Sequence, residues 1–194
     1  MDGPTRTVSP RRGFPSRAGH EDGMGLRFRV SFFPVQADAE LGFVLHPLDG
    51  ATNKMLALAG RGELRDYLDV LFLHQNVLSL GALAWAACGK DAGFTPQFLI
   101  EEAQRLAHYP ASRWNTLWLR EPADPVKCKR QWVQALAEAK ALFRKLPDEE
   151  VGCLYLKAEH QAVTPDPASP EFPRLRRHHG SVRGAWPAIT ENPG

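Results

Sequence analysis

Cysteine is scarce and oddly numbered. Cys88, Cys128 and Cys153 stand far apart, and no C-x-x-C occurs. That argues against a zinc ribbon or a disulfide framework and fits a reducing compartment. Long apolar runs are missing as well. The longest weakly polar stretch, Val77 to Gly89, falls short of the ~20 residues needed to span a bilayer. Met1 to Gly25 contains no apolar core of a secretory signal. Charge of one sign is also lacking: 24 Lys and Arg face 22 Asp and Glu, a formal net charge of +2. Such a balance makes no electrostatic case for nucleic acid. These absences predict a cytoplasmic chain with no membrane segment.

What is present is enough for one core. The chain has 194 residues, 43% of them hydrophobic, which predicts a single domain with ragged ends. Residues 1–25 are rich in Pro, Gly, Arg and Ser, with Arg6, Arg11, Arg12 and Arg17, and predict a disordered basic segment. Residues 26–157 carry the periodic patterns of a folded domain. Residues 158–194 read as a Pro/Arg-rich tail, in which His178 and His179 are solvated.

Leu26 to Phe33 alternates apolar and polar residues, the period of a half-buried strand. Leu41 to Leu45 predicts a second short strand. Two strands are marginal alone, so helix packing or a partner must cover them. Helical patterns follow. Leu78–Cys88 predicts a small apolar helix. Thr95 caps a helix to about His108, with Pro96 at its first position and Phe98, Leu99, Ala103 and Leu106 on its apolar face. Ser112 begins another turn, with Trp114, Leu117 and Trp118. Asp124 caps a long helix with Trp132, Leu136, Ala139 and Phe143 on one stripe. Trp85, Trp114, Trp118 and Trp132 read as core, and Cys88 as a small buried hydrophobe. Val151 to Leu156 predicts a short strand.

Leu48 to His74 is the only stretch where charge sits tightly inside a strong apolar period. Asp49 is placed to cap a helix that carries Lys54. Gly60-Arg61-Gly62 breaks the pattern. A second helix starts near Glu63, with Leu64, Leu68 and Leu71 on its buried face and Tyr67 widening it. Asp66 and Asp69 are i, i+3 and share a side. The two helices thus predict that Lys54, Arg61, Arg65, Asp66 and Asp69 gather in one region. The bland reading of each is a solvated or capping charge.

This pattern resembles the later motifs of the AbiEii/AbiGii toxin-like nucleotidyltransferases, D-x-x-x-x-K-x-x-A-L-x-x-R followed by R-D-x-x-D. Here they read Asp49, Lys54, Ala57, Leu58, Arg61, then Arg65, Asp66 and Asp69. H-P-L-D at 46–49, A-W-A-A-C-G-K-D at 84–91 and G-S-V-R-G-A-W-P at 180–187 are similar to one bacterial branch. The resemblance implies an α+β, mostly α-helical fold, a remnant nucleotidyltransferase-like sheet edge followed by a helical bundle. It implies nucleotidyl transfer from a nucleoside triphosphate with Mg2+. Asp66 and Asp69 would be the catalytic residues, and Lys54, Arg61 and Arg65 would bind the nucleotide. It implies as partners an antitoxin or an N-terminal half, and an RNA or protein acceptor.

One departure limits the resemblance. The family's metal-binding Asp-x-Asp follows a Gly-Ser or Gly-Gly turn on an upstream strand, and nothing before Leu48 supplies it. Asp38-Ala39-Glu40 falls in a loop. The expectation is therefore the back half of an enzyme, inactive by itself. The alternative expectation is a non-catalytic helical module that binds a partner protein or RNA.

Overall fold

The computed structural model describes residues 30–119, 122–158 and 161–181. The basic segment 1–25, residues 26–29 of the expected first strand, and Trp186 lie outside the described residues.

A hairpin of β1 (Gln36–Asp38) and β2 (Gly42–Val44) leads into α1 (Pro47–Arg61), α2 (Leu64–Asn76), α3 (Leu80–Ala87), α4 (Pro96–Leu106), α5 (Ala111–Asn115) and α6 (Pro125–Phe143). β3 (Cys153–Ala158), β4 (Gln161–Ala162) and β5 (Arg176–His179) follow. The fold is thus α+β and mostly helical. Its two sheets are antiparallel, one of β1-β2 and one in the order β4-β3-β5.

α3 is the centre. All of its residues are buried, as befits a helix that is apolar all round. Its small side chains let neighbours come close. A Cβ on Gly81 would stand 3.0 Å from Ala139 Cα of α6. α1, α2, α4, α6 and β3 pack around it. Ser79 starts α3 by accepting a hydrogen bond from the Ala82 N–H.

Two helix caps fall where the sequence puts them. Asp124 accepts from Val126 N–H ahead of Pro125, and Trp132, Leu136, Ala139 and Phe143 of α6 are buried. Each of the large ones contributes ~1.5–3 kcal/mol by leaving water. Thr95 accepts from Phe98 N–H ahead of Pro96. The buried stripe of α4 is Leu99, Ile100 and Ala103. Phe98 is half exposed and stacks on Phe94 instead.

Several expectations are corrected. α1 starts at Pro47 with His46 as its cap, so Asp49 lies inside the first turn. Proline fits the first helical position because its fixed φ suits a helix and its missing N–H is no loss there. Residues 30–33 form no ladder beyond a single bridge between Ser31 and Ser181. β2 pairs with Gln36–Asp38 rather than with that segment. Trp118 is 95% exposed; α5 ends at Asn115, so the residue falls past the helical stripe.

The expected tail holds a strand. β5 pairs with β3, with Cys153 opposite His179 and Leu156 opposite Arg176. His178 Nε2–H donates to the Phe32 carbonyl at 2.6 Å, and its ring stacks on Phe33. Arg177 Nε donates to Glu150 at 2.7 Å. β3 buries Cys153, Leu154, Tyr155 and Leu156, and such a row is stable only with both edges paired. The proline-rich connection brings 176–179 back to fill one edge. Among the described residues no single helix is long and apolar enough to cross a membrane.

Candidate functional site

Gly62 makes the meeting of α1 and α2. Its φ of 62° is the left-handed turn that ends α1, and its N–H returns to the Leu58 carbonyl. L-residues with a side chain rarely adopt that conformation. The turn lays α1 beside α2, so Lys54 faces the first turns of α2.

Four of the five expected site residues converge there. Arg61 grips Asp66 through Nε (2.7 Å) and a terminal nitrogen (3.1 Å). Lys54 Nζ reaches Asp66 Oδ1 at 3.2 Å and Asp69 Oδ2 at 2.8 Å. The Asp66 side chain is 0% exposed. Arg65 is exposed and joins no ion pair among the described residues. Arg65 and Asp69, four residues apart on α2, do not pair, because Asp69 turns to Lys54.

Charge in the cluster is balanced internally. Burial pushes the Asp66 carboxyl up, but the hydrogen bonds and charges of Arg61 and Lys54 outweigh it and hold it below the usual range. Lys54 is raised, chiefly by its hydrogen bond to Asp69. The Mg2+ implied by the resemblance does not fit the carboxylate of Asp66. Oxygen ligands of a divalent ion need free lone pairs in open positions. Both oxygens of Asp66 are engaged by cations and sealed from solvent, and Asp69 shares the same lysine. Among the described residues, no three His, Cys, Asp or Glu side chains converge as a metal site. A groove of about 330 Å3 runs past Lys54 and Asp69, walled by Pro47, Leu73 and the 62% exposed Phe72.

A second, deeper ion pair was only half legible. Asp49 accepts from the backbone N–H of Phe32 (2.8 Å) and Phe33 (3.0 Å). Lys90 Nζ lies 2.6 Å from Asp49 Oδ1 and also reaches Asn53 Oδ1 and the Asp49 carbonyl. Burial raises the Asp49 carboxyl, yet Lys90 and the two N–H groups bring it below its ordinary value. This pair ties the strand-like segment 30–33 to α1 and to the end of α3. Asp49 in the motif is thus structural. The signal for Lys90 was a lysine directly after an all-apolar helix, where its amine must find a buried partner.

A third feature carried no motif. Tyr67 of α2, Tyr109 after α4, Trp114 of α5 and Trp132 of α6 line a cleft of about 480 Å3. Tyr67 meets Tyr109, Trp132 and Trp114 at ring-centre distances of 5.4, 5.1 and 6.3 Å. Tyr109 Oη and Trp132 Nε1 are sealed from water without a hydrogen-bond partner. Burial pushes the Tyr109 hydroxyl up to about 12, with the negative charges of Asp66 and Glu63 adding to it. Their spacing in sequence, from 67 to 132, hides the cleft from any local pattern.

Compared with known proteins, the chain matches no family model, no curated protein and no solved structure.

Proposed function

We propose that the chain is a non-catalytic module that binds a partner protein, built on a helical scaffold akin to the later part of AbiEii/AbiGii-like nucleotidyltransferases. The observation that carries it is the mutual pairing of Lys54, Arg61, Asp66 and Asp69, with Asp66 buried between the two cations. Nucleotidyl transfer needs carboxylates free to hold metal and cations free to hold phosphate. In this cluster they hold each other, so the motif serves as the rivet between α1 and α2.

The hairpin supports a protein partner over RNA. β1 and β2 pair only with each other among the described residues, and Leu41, Phe43 and Leu45 are 74%, 63% and 50% exposed. A two-stranded sheet with unpaired edges and apolar side chains in water is a template for strand addition. Phe72, 62% exposed, lines a groove with Pro47, where α1 begins after the hairpin. RNA would call for interleaved arginines and aromatics, and the hairpin carries none of the former.

The test is a photo-crosslinker placed at Phe43, with Gln134 on the exposed side of α6 as the control position, in the native cell. One discrete polypeptide adduct at 43 and none at 134 is expected. An RNA adduct, or equal labelling at both positions, overturns the reading. In parallel, the purified chain is incubated with each labelled nucleoside triphosphate, Mg2+ and bulk tRNA or protein. Incorporation that disappears in Lys54→Ala would make the chain a transferase and end the proposal.

A further inference from the structure

We propose that the outer face of α6 docks an acidic amphipathic helix of a partner protein. This goes beyond the hairpin reading and rests on different residues.

The pattern starts in the sequence. One side of α6, from Cys128 to Phe143, is given to the core. Val126, Lys129, Arg130, Val133, Lys140 and Arg144 then stand at i, i+3, i+4, i+7, i+14 and i+18. That is the spacing of a second stripe on the same helix, and every one of these residues is exposed. At ~1.5 Å per residue the stripe runs ~27 Å. Val126 and Val133 are 76% and 59% exposed, so neither serves the core. Nor does local propensity call for them, since a β-branched side chain loses freedom in a helix. At the start of the stripe Pro125, Val126, Lys129, Arg130 and Val133 line a shallow hollow.

The charges beside the valines are unmatched. Lys129, Arg130, Lys140 and Arg144 join no ion pair among the described residues. Exposed cations elsewhere have found acids: Lys54 has Asp69, Arg105 has Glu102 and Arg113 has Glu63. No Asp or Glu falls on the stripe. Glu138, the one acid of α6, stands ~140° round the helix from Val133. It accepts a hydrogen bond from Gln134, which lies on the same flank beyond Arg130 and so outside the stripe. Asp124 is engaged in capping the helix through the Val126 N–H. Glu101 of α4 lines a hollow with Lys140 and Arg144 but forms no ion pair with either.

Charge complementarity names the occupant. Valines flanked by unmatched cations complement a helix whose apolar row is flanked by Asp and Glu. Four cations spread over ~5 turns meet acids that recur at helical spacing on a partner helix of similar length. The valines supply the apolar contact, and the rim charges set orientation and exclude basic helices. Single-stranded RNA would need aromatic rings among the cations for its bases to stack on, and the stripe has valines there instead. A lipid surface would need Trp, Phe or Leu along the face, and the large apolar side chains of α6 are turned into the core.

The probe is a fluorescein-labelled helical peptide of Leu, Ala and Glu, as long as α6, with Leu along one face and Glu beside it. Its anisotropy is followed as the full chain is titrated in at physiological ionic strength. Saturable binding is expected, at least tenfold tighter than for the same peptide with every Glu replaced by Lys. The double variant Lys129→Glu with Lys140→Glu should invert that preference. Val133→Asp should weaken the Glu peptide about tenfold, and Gln134→Ala should leave it within about twofold. All three positions are exposed, so circular dichroism should match the parent. No saturable binding of the Glu peptide overturns the proposal. Unchanged affinity in Val133→Asp also overturns it, since charge alone would then account for binding. Oligouridylate and phosphatidylserine vesicles are titrated alongside. If either binds more tightly than the peptide and is lost in the double variant, the face belongs to nucleic acid or lipid and the proposal falls. Phe43→Lys should leave every titration unchanged, so this surface and the hairpin reading fail separately.

Discussion

Replacing Asp49 by asparagine removes charge where water cannot stand in for it. Asp49 and Lys90 are 1% and 6% exposed and 2.6 Å apart. Leaving one member of a buried pair alone costs ~3–5 kcal/mol. Asparagine also offers one acceptor oxygen where Phe32 N–H and Phe33 N–H both need one. An unsatisfied buried N–H adds ~1–3 kcal/mol. Relaxation of the segment 30–33 shares these costs, so a net loss of about 4 kcal/mol is expected, a large part of the ~5–15 kcal/mol that holds a domain. Urea unfolding followed by circular dichroism at pH 7 measures it. With a slope of ~2 kcal/mol/M the midpoint drops by ~2 M.

Lys90→Met leaves Asp49 its two backbone donors and fills the space of the lysine stem. The double variant should then be less damaged than the sum of the singles by ~2 kcal/mol or more. Hydrogen exchange adds a local readout, since Phe32 and Phe33 amides should lose protection before those of α3 do. The pH dependence has a fixed sign. Asp49 is held below its ordinary value when folded. Its contribution is full above the unfolded carboxyl value of ~3.9 and is lost as pH falls through the lowered folded value. The gap between parent and Asp49→Asn should therefore be flat from pH 7 to about pH 5 and narrow below about pH 4. A loss under ~1 kcal/mol, or additive single variants, would refute the reasoning that this is a buried coupled pair.

The rivet between α1 and α2 should discriminate its members. Lys54→Ala removes the bridge to Asp66 and Asp69 and should cost ~1–2 kcal/mol, discounted because Lys54 is 39% exposed. Arg65→Ala should stay within ~0.5 kcal/mol, and urea melts of the two variants give the comparison. Glycines separate by backbone in the same way. Gly60 lies inside α1 with open space where a Cβ would go, so Gly60→Ala should stabilise by ~0.5–1 kcal/mol. Gly62→Ala meets a φ of +62° and Leu106 Cβ at 2.6 Å, and should destabilise by more than ~1 kcal/mol; thermal melts reading opposite shifts would bear both out.

The elements that were legible in the sequence are those set by local chemistry. Asp124-Pro125 and Thr95-Pro96 start helices because a side-chain oxygen and a fixed φ act within one turn. The stripe Trp132, Leu136, Ala139, Phe143 follows from the 3.6-residue period. The same period brought Lys54, Asp66 and Asp69 together across a glycine turn. What the period could not say was whether those charges face a ligand or one another. Trp118 shows the limit on a single residue: periodicity holds only while the helix lasts, and α5 stops at Asn115.

By itself, then, the sequence determined an α+β chain of capped amphipathic helices with one small apolar helix near Leu78–Cys88, since these follow from backbone preferences and burial of nearby side chains. The tertiary structure alone decided three things. Asp49 turned from a cap to the partner of Lys90, 41 residues away. Arg176–His179 turned from tail to strand against Cys153–Leu156. Tyr67, Tyr109, Trp114 and Trp132 became the walls of one cleft. Each depends on contacts between distant residues, and such contacts are fixed by how whole helices pack around a shared core, which no window of neighbouring residues contains.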